Sequence, residues 1–159
     1  MKPTVHVETS VISYYTARPS RDVVVLGHQE TTRQWWPRAL ERFQLVVSEV
    51  VLSEISEGDQ QAAGERLRAV EGLPRLPLSP QCDEVAKRYL KELPLPGRAV
   101  RDAAHLAIAS VYAVDYLVTW NCGHIANALI RRRLAETNGT LALATPIICT
   151  PEEMMEDWT

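Results

Sequence analysis

The sequence predicts an α/β fold, a parallel sheet covered on both faces by helices and joined by right-handed crossovers. Three observations lead there. Short apolar runs of strand length alternate with stretches of helical spacing along the chain. The 159 residues, 46% hydrophobic and 23% charged, fit one globular domain built around one core, residues 1–159. Residues 98–112 are alanine-rich and apolar on nearly every side except at Arg101, Asp102, His105 and Ser110, the pattern of a helix enclosed by other elements.

Thr4-Val5-His6-Val7 is a β-branched run, and Glu8-Thr9-Ser10 follows with hydroxyls at Thr9 and Ser10 suited to capping a helix. Leu26 to Phe43 carries helical spacing through Trp35, Trp36, Ala39 and Leu40, with Pro37 placed to kink or split it. Gln44 to Ser48 is a second strand, after which Glu49 to Gly58 returns to helical spacing. Two amphipathic helices, Gln60 to Gly72 and Pro80 to Leu93, flank Leu73 to Leu78, whose prolines allow only a short edge strand. Pro94-Leu95-Pro96-Gly97 leads into the enclosed helix. Tyr116 to Thr119 is a further strand, Trp120 to Gly123 a loop, and His124 to about Glu136 a helix that Asn138-Gly139 is expected to end. Leu141 to Cys149 is the last strand, and Pro146 inside it argues for an edge position.

Composition excludes several classes. Cys82, Cys122 and Cys149 are odd in number, far apart and without a CxxC pair, so neither a disulfide framework nor a cysteine zinc site is implied. They read as reduced, mostly buried thiols. A net charge of −3 argues against a polybasic nucleic-acid binder. No run approaches the roughly 18 apolar residues of a membrane span, and the first residues lack the apolar segment of a signal peptide. The expected location is cytoplasmic, with no membrane partner.

Open parallel sheets bind ligands beyond the carboxyl ends of their strands. Glu8 ends the first strand, Glu54 lies in the helix after the second, Asn121 follows the Tyr116 strand, and Asp102 opens the enclosed helix. All four are candidates for one rim. Carboxylates held within about 4–6 Å of one another repel unless a cation neutralises them. Oxygen donors without histidine or cysteine ligands call for a hard ion, Mg2+ or Mn2+, whose remaining positions are often filled by water and substrate phosphate. That combination points to phosphodiester chemistry.

Four segments carry a resemblance: residues 5–15, with Glu8-Thr9-Ser10; Ser48 to Ile55, with Glu54; Arg101 to Ala109, with Asp102; and Tyr116 to Ile125, with Asn121. In this order and spacing the chain resembles the PIN-domain family, of the VapC-like toxin type, over nearly its whole length. The resemblance implies a three-layer α/β/α sandwich with a mainly parallel central sheet. It implies a metal-dependent endoribonuclease, the toxin of a toxin–antitoxin pair, acting on RNA, expected to be a homodimer and neutralised by a small antitoxin protein. Glu8, Glu54 and Asp102 match the family's first three acidic positions, and Asn121 falls at the fourth, so these four are the expected catalytic and metal-binding residues. Glu8 stands where aspartate is more usual, and Asn121 offers an amide oxygen without a charge. The second departure motivates an alternative: a catalytically weakened PIN-fold binding or interaction module. A flavodoxin-like reading lacks the phosphate loop it needs after the first strand.

Other polar residues have plainer readings. His105 reads as a hydrogen-bonded packing residue outside the site, and Asp115 as a turn residue at the opposite rim. Arg131-Arg132-Arg133 reads as a solvated helix face, and Trp35 and Trp36 as packing or dimer anchors.

Overall fold

A computed structural model describes residues 1–155. Residues 156–159, the end of the expected domain, lie outside the described residues. The central strand is β1 (Thr4–Val7), flanked by β2 (Gln44–Ser48) and β4 (Tyr116–Val118), with β3 (Arg75–Leu76) and β5 (Ile147–Cys149) at the edges. The order is β3-β2-β1-β4-β5 and every pairing is parallel, with Val5 opposite both Leu45 and Tyr116. The chain therefore leaves β1 for one side of the sheet and later crosses to the other, which places a switch point at the carboxyl end of β1.

Strand alternation divides the buried residues into two clusters rather than the one core expected from chain length. Val5, Val7, Leu45, Val47 and Val118 meet α1 (Thr9–Thr16), α2 (Val23–Arg42) and α3 (Glu49–Ile55) through Val11, Ile12, Trp35, Trp36, Val51 and Ile55. Val46, Leu117 and Ile148 meet α5 (Pro80–Glu92), α6 (Val100–Val111) and α7 (Ala128–Leu141) through Tyr89, Leu106, Ile130 and Leu134. Helices thus cover both faces, and α4 (Gln60–Ala69) packs against α1 and α3. This is the three-layer α/β/α sandwich. Trp35 and Trp36 are buried in the first cluster, which settles their role as packing.

Several boundaries differ from the sequence reading. Pro37 lies inside α2 without splitting it. Pro146 precedes β5, which is only three residues long, so the final strand is far shorter than Leu141 to Cys149. The largest correction concerns α7, which begins at Ala128 and runs through Asn138-Gly139. Asn127 caps its start by accepting from the amides of Leu129 and Ile130. Asn138 does not end it, because its side chain is fully buried and used elsewhere. Its amide oxygen accepts from the Tyr89 hydroxyl of α5, and its nitrogen donates to Ser110 of α6 and to Thr145. The stop falls at Ala142, which takes a left-handed conformation with φ 54°.

The thiols give a simple test of this packing. Cys122 is exposed, while Cys82 and Cys149 are buried, and burial with the nearby Glu153 pushes the Cys149 thiol up to about 12. At pH 8 the folded protein is expected to react rapidly with a thiol reagent at Cys122 alone, and at all three cysteines in denaturant. Rapid labelling of Cys149 in the native state would contradict the β5 packing.

Candidate acidic site

The acids reach one rim because each stands where a strand gives way to a helix, or in a helix end that abuts such a junction. Glu8 follows β1 in an extended conformation and is the N-cap of α1. Its Oε2 accepts from the Ser10 amide (3.0 Å), the Ser10 hydroxyl and Thr119 Oγ1 (2.8 Å). Glu8 itself caps the helix, and the hydroxyls expected to do so are turned toward carboxylates instead. Ser10 Oγ also accepts from the Trp120 amide at 2.8 Å, and Thr119 Oγ1 from the Asn121 amide at 3.0 Å. These bonds clip the end of β4 to the end of β1.

Glu54 sits in the last turn of α3. Its Oε1 receives the Thr9 hydroxyl at 3.0 Å and lies 2.5 Å from His105 Nε2. An ionised carboxylate can only accept, so Nε2 carries the proton. Asp102 occupies the first turn of α6, where the helix dipole favours a negative charge. Its Oδ1 accepts from Asn121 Nδ2 at 3.1 Å, and its Oδ2 is 2.8 Å from His124 Nδ1. Asn121 Oδ1 is taken by the His124 backbone amide at 3.0 Å, and that unambiguous donor fixes which way the amide points. In this geometry Asn121 presents its nitrogen to Asp102, and its oxygen, the atom expected to face a cation, accepts from the His124 amide.

Histidine 105 joins the three acids. It is 1% exposed, one turn beyond Asp102 on the same face of α6. Burial opposes its charge, but the Glu54 hydrogen bond and the fields of Glu8, Glu54 and Asp102 together raise its pKa. Partial burial works to raise the Glu54 pKa in turn, yet the bond and charge of His105, with help from Thr9 and Arg101, hold it below the usual carboxylate range. Sequence reasoning left His105 and His124 out. The signal for His105 was its three-residue spacing from Asp102; for His124 it was the same spacing from Asn121.

Beneath this cluster lies His6, fully buried, its ring centroid 6.2 Å from that of His105. Burial, aided by His105, lowers its pKa from 6.5 to about 3. Below pH 6.5 the unfolded chain takes up a proton that folded His6 refuses until about pH 3. Stability is therefore lost as pH falls through that window, by about 1.4 kcal/mol per unit. Denaturant unfolding in EDTA at pH 7 and pH 5 is expected to show a smaller loss for His6→Leu than for the parent. Equal losses would place His6 in water.

The remaining expectations are quickly placed. Asp115 lies at the opposite rim and accepts from the Thr4 amide at 2.7 Å. Arg132 and Arg133 pair with Glu136, and Arg131 with Glu153. Trp120 stacks on His28 with centroids 4.1 Å apart.

The donor chemistry of the rim can be matched to a hard divalent ion. Among the described residues no three His, Cys, Asp or Glu side chains form a ready-made metal cage. Magnesium does not require one, since it is usually held by one or two carboxylates with water and phosphate completing the shell. The hydrogen bonds of Glu8 fall on Oε2 and those of Glu54 on Oε1, which leaves Glu8 Oε1 and Glu54 Oε2 without one among the described residues. Both are hard oxygens of the kind such an ion takes.

Compared with solved structures, the fold is similar to a chain in the crystal structure of VapBC2 from Rickettsia felis bound to a DNA fragment from their promoter. The TM-score is 0.58 at 13% identity, over 92% of this chain and 98% of that one. No protein-family model and no curated protein matches the sequence. The class defined on this evidence is an all-parallel α/β/α sandwich of the VapBC2-chain fold with an acidic rim. No helix among the described residues is long and apolar enough to cross a membrane.

Proposed function

We propose that this chain is a divalent-metal-dependent endoribonuclease of PIN type, the toxin of a toxin–antitoxin pair whose partner is a small antitoxin protein. One observation carries the reading: Glu8, Glu54 and Asp102 come from three separate segments to the carboxyl rim of a parallel sheet, where Thr9 beside Glu8 donates to Glu54, and His105, one turn from Asp102 on α6, bonds the same Glu54 oxygen. The fold likeness to a VapBC2 chain supports both the nuclease class and the antitoxin partner.

Glu8 and Glu54 are the residues that would hold Mg2+ or Mn2+, with Asp102 as the third acid. When bound, such an ion supplies a Lewis acid that offsets phosphate charge and eases loss of a proton from an attacking water. The chain's own groups do the rest. Ser10 and Thr119 fix the Glu8 carboxylate, Thr9 and His105 fix Glu54, and Asn121 and His124 fix Asp102, so the charges are set before a substrate arrives. Hydrolysis by water needs no covalent enzyme intermediate.

The test is incubation of the purified protein with end-labelled single-stranded RNA in Mg2+ or Mn2+ and in EDTA. Cleavage with metal and none in EDTA is expected. Cleavage unaffected by EDTA would overturn the metal-dependent reading, and no cleavage of varied RNAs would move the protein to the alternative, a PIN-fold interaction module.

A further inference from the structure

We infer that His105, backed by His6, is a positioning residue that fixes the orientation of Glu54 for cation binding. The inference rests on the proposed metal site and deepens it.

Position 6 lies between Val5 and Val7 in the central strand of a sheet covered on both faces, where aliphatic side chains are the low-energy choice. A fully buried histidine occupies it instead, and neither of its ring nitrogens has a partner among the described residues. His105 Nδ1 is also buried without a partner among the described residues. Each such atom costs about 1–3 kcal/mol. At position 6 an apolar residue of similar volume would remove that cost, so stability does not account for a histidine there.

The geometry gives it another use. His105 Nε2 and the Thr9 hydroxyl both donate to Glu54 Oε1, one from α6 and one from α1. Two donors on one oxygen set the rotation of the carboxylate, and Oε2 is the oxygen left for a ligand. The His6 ring, tilted 42° to that of His105, packs below it and keeps it from sinking into the sheet. Hydrogen-bonding groups behind a metal ligand characteristically act this way.

The test compares the parent with His105→Leu and His105→Gln. Glutamine keeps an N–H donor near the place of Nε2; leucine fills the volume without one. Calorimetric Mn2+ titration is expected to show affinity about 10–100-fold weaker in His105→Leu. His105→Gln is expected to bind within about threefold of the parent, a difference under about 1 kcal/mol. Parental affinity in His105→Leu would overturn the inference. So would equal losses of affinity in both variants accompanied by equal drops in stability, the outcome of a merely structural role. If the parent itself takes up no Mn2+, the metal reading fails, and imidazole 15N spectra in EDTA then judge the pair separately. A proton on Nε2 keeps His105 as the group that orients Glu54; a proton on Nδ1 alone overturns it.

Discussion

Asp102→Asn is expected to lower RNA cleavage in Mg2+ by about 1000-fold in kcat/KM while leaving the fold intact. Groups one bond removed from a metal ligand already cost about 10–100-fold when mutated, and this substitution removes a charge from the acidic rim itself. The fold should survive because the amide is nearly the shape of the carboxylate. Its oxygen can still accept from Asn121 Nδ2, and its nitrogen can donate to a neutral His124 Nδ1, replacing both bonds of the parent. Kinetics with circular dichroism and thermal unfolding check the two halves together. Activity within about tenfold of the parent would remove Asp102 from the machinery.

The second large effect lies far from the rim. Asn138→Ala is expected to destabilise the protein by about 3 kcal/mol, because it deprives the buried Tyr89 hydroxyl of its acceptor and leaves a cavity where α5, α6 and α7 meet. Tyr89→Phe removes the other partner and should cost less, since the remaining Asn138 keeps its bonds to Ser110 and Thr145. Urea unfolding of both single variants and the double variant reads the coupling, expected to be about 1–2 kcal/mol. A loss below about 1 kcal/mol for Asn138→Ala would show that the three helices are not pinned there.

Asn138 also illustrates the limits of reading this fold from its residues. Asn-Gly is a local turn signal, and locally it is the right one; the network to Tyr89 and Ser110 overrides it through contacts distant in sequence. The helix that was expected to start at His124 starts at Ala128 because residues 121–126 form a turn of their own, with the Ile125 and Ala126 amides both donating to the Asn121 carbonyl, and Asn127 then caps the helix. By contrast, Gln44 to Ser48 was legible to the residue, because a short apolar run bounded by a new helical period leaves little choice. The edge positions of β3 and β5 were legible from their prolines.

The acids divide in the same way. That Glu8 stands at the carboxyl rim was legible, because strand-to-helix junctions fall there whatever the details of packing, whereas Glu54 and Asp102 were legible only as helix positions. The hydrogen bonds that orient them were not. That Glu8 rather than Thr9 or Ser10 caps α1, and that Asn121 turns its nitrogen to Asp102, depends on side-chain rotation that spacing does not encode. His105 was read correctly as buried and hydrogen-bonded, but its partner was hidden, because Glu54 is 51 residues away in sequence.

The central claim is that acids from separate segments make one cation-dependent site. A Mn2+ titration of the parent beside Glu8→Gln and Asp102→Asn tests it most directly. The account predicts saturable uptake by the parent and affinity reduced at least about tenfold in each variant. No uptake by the parent, or equal affinity in all three proteins, would contradict it.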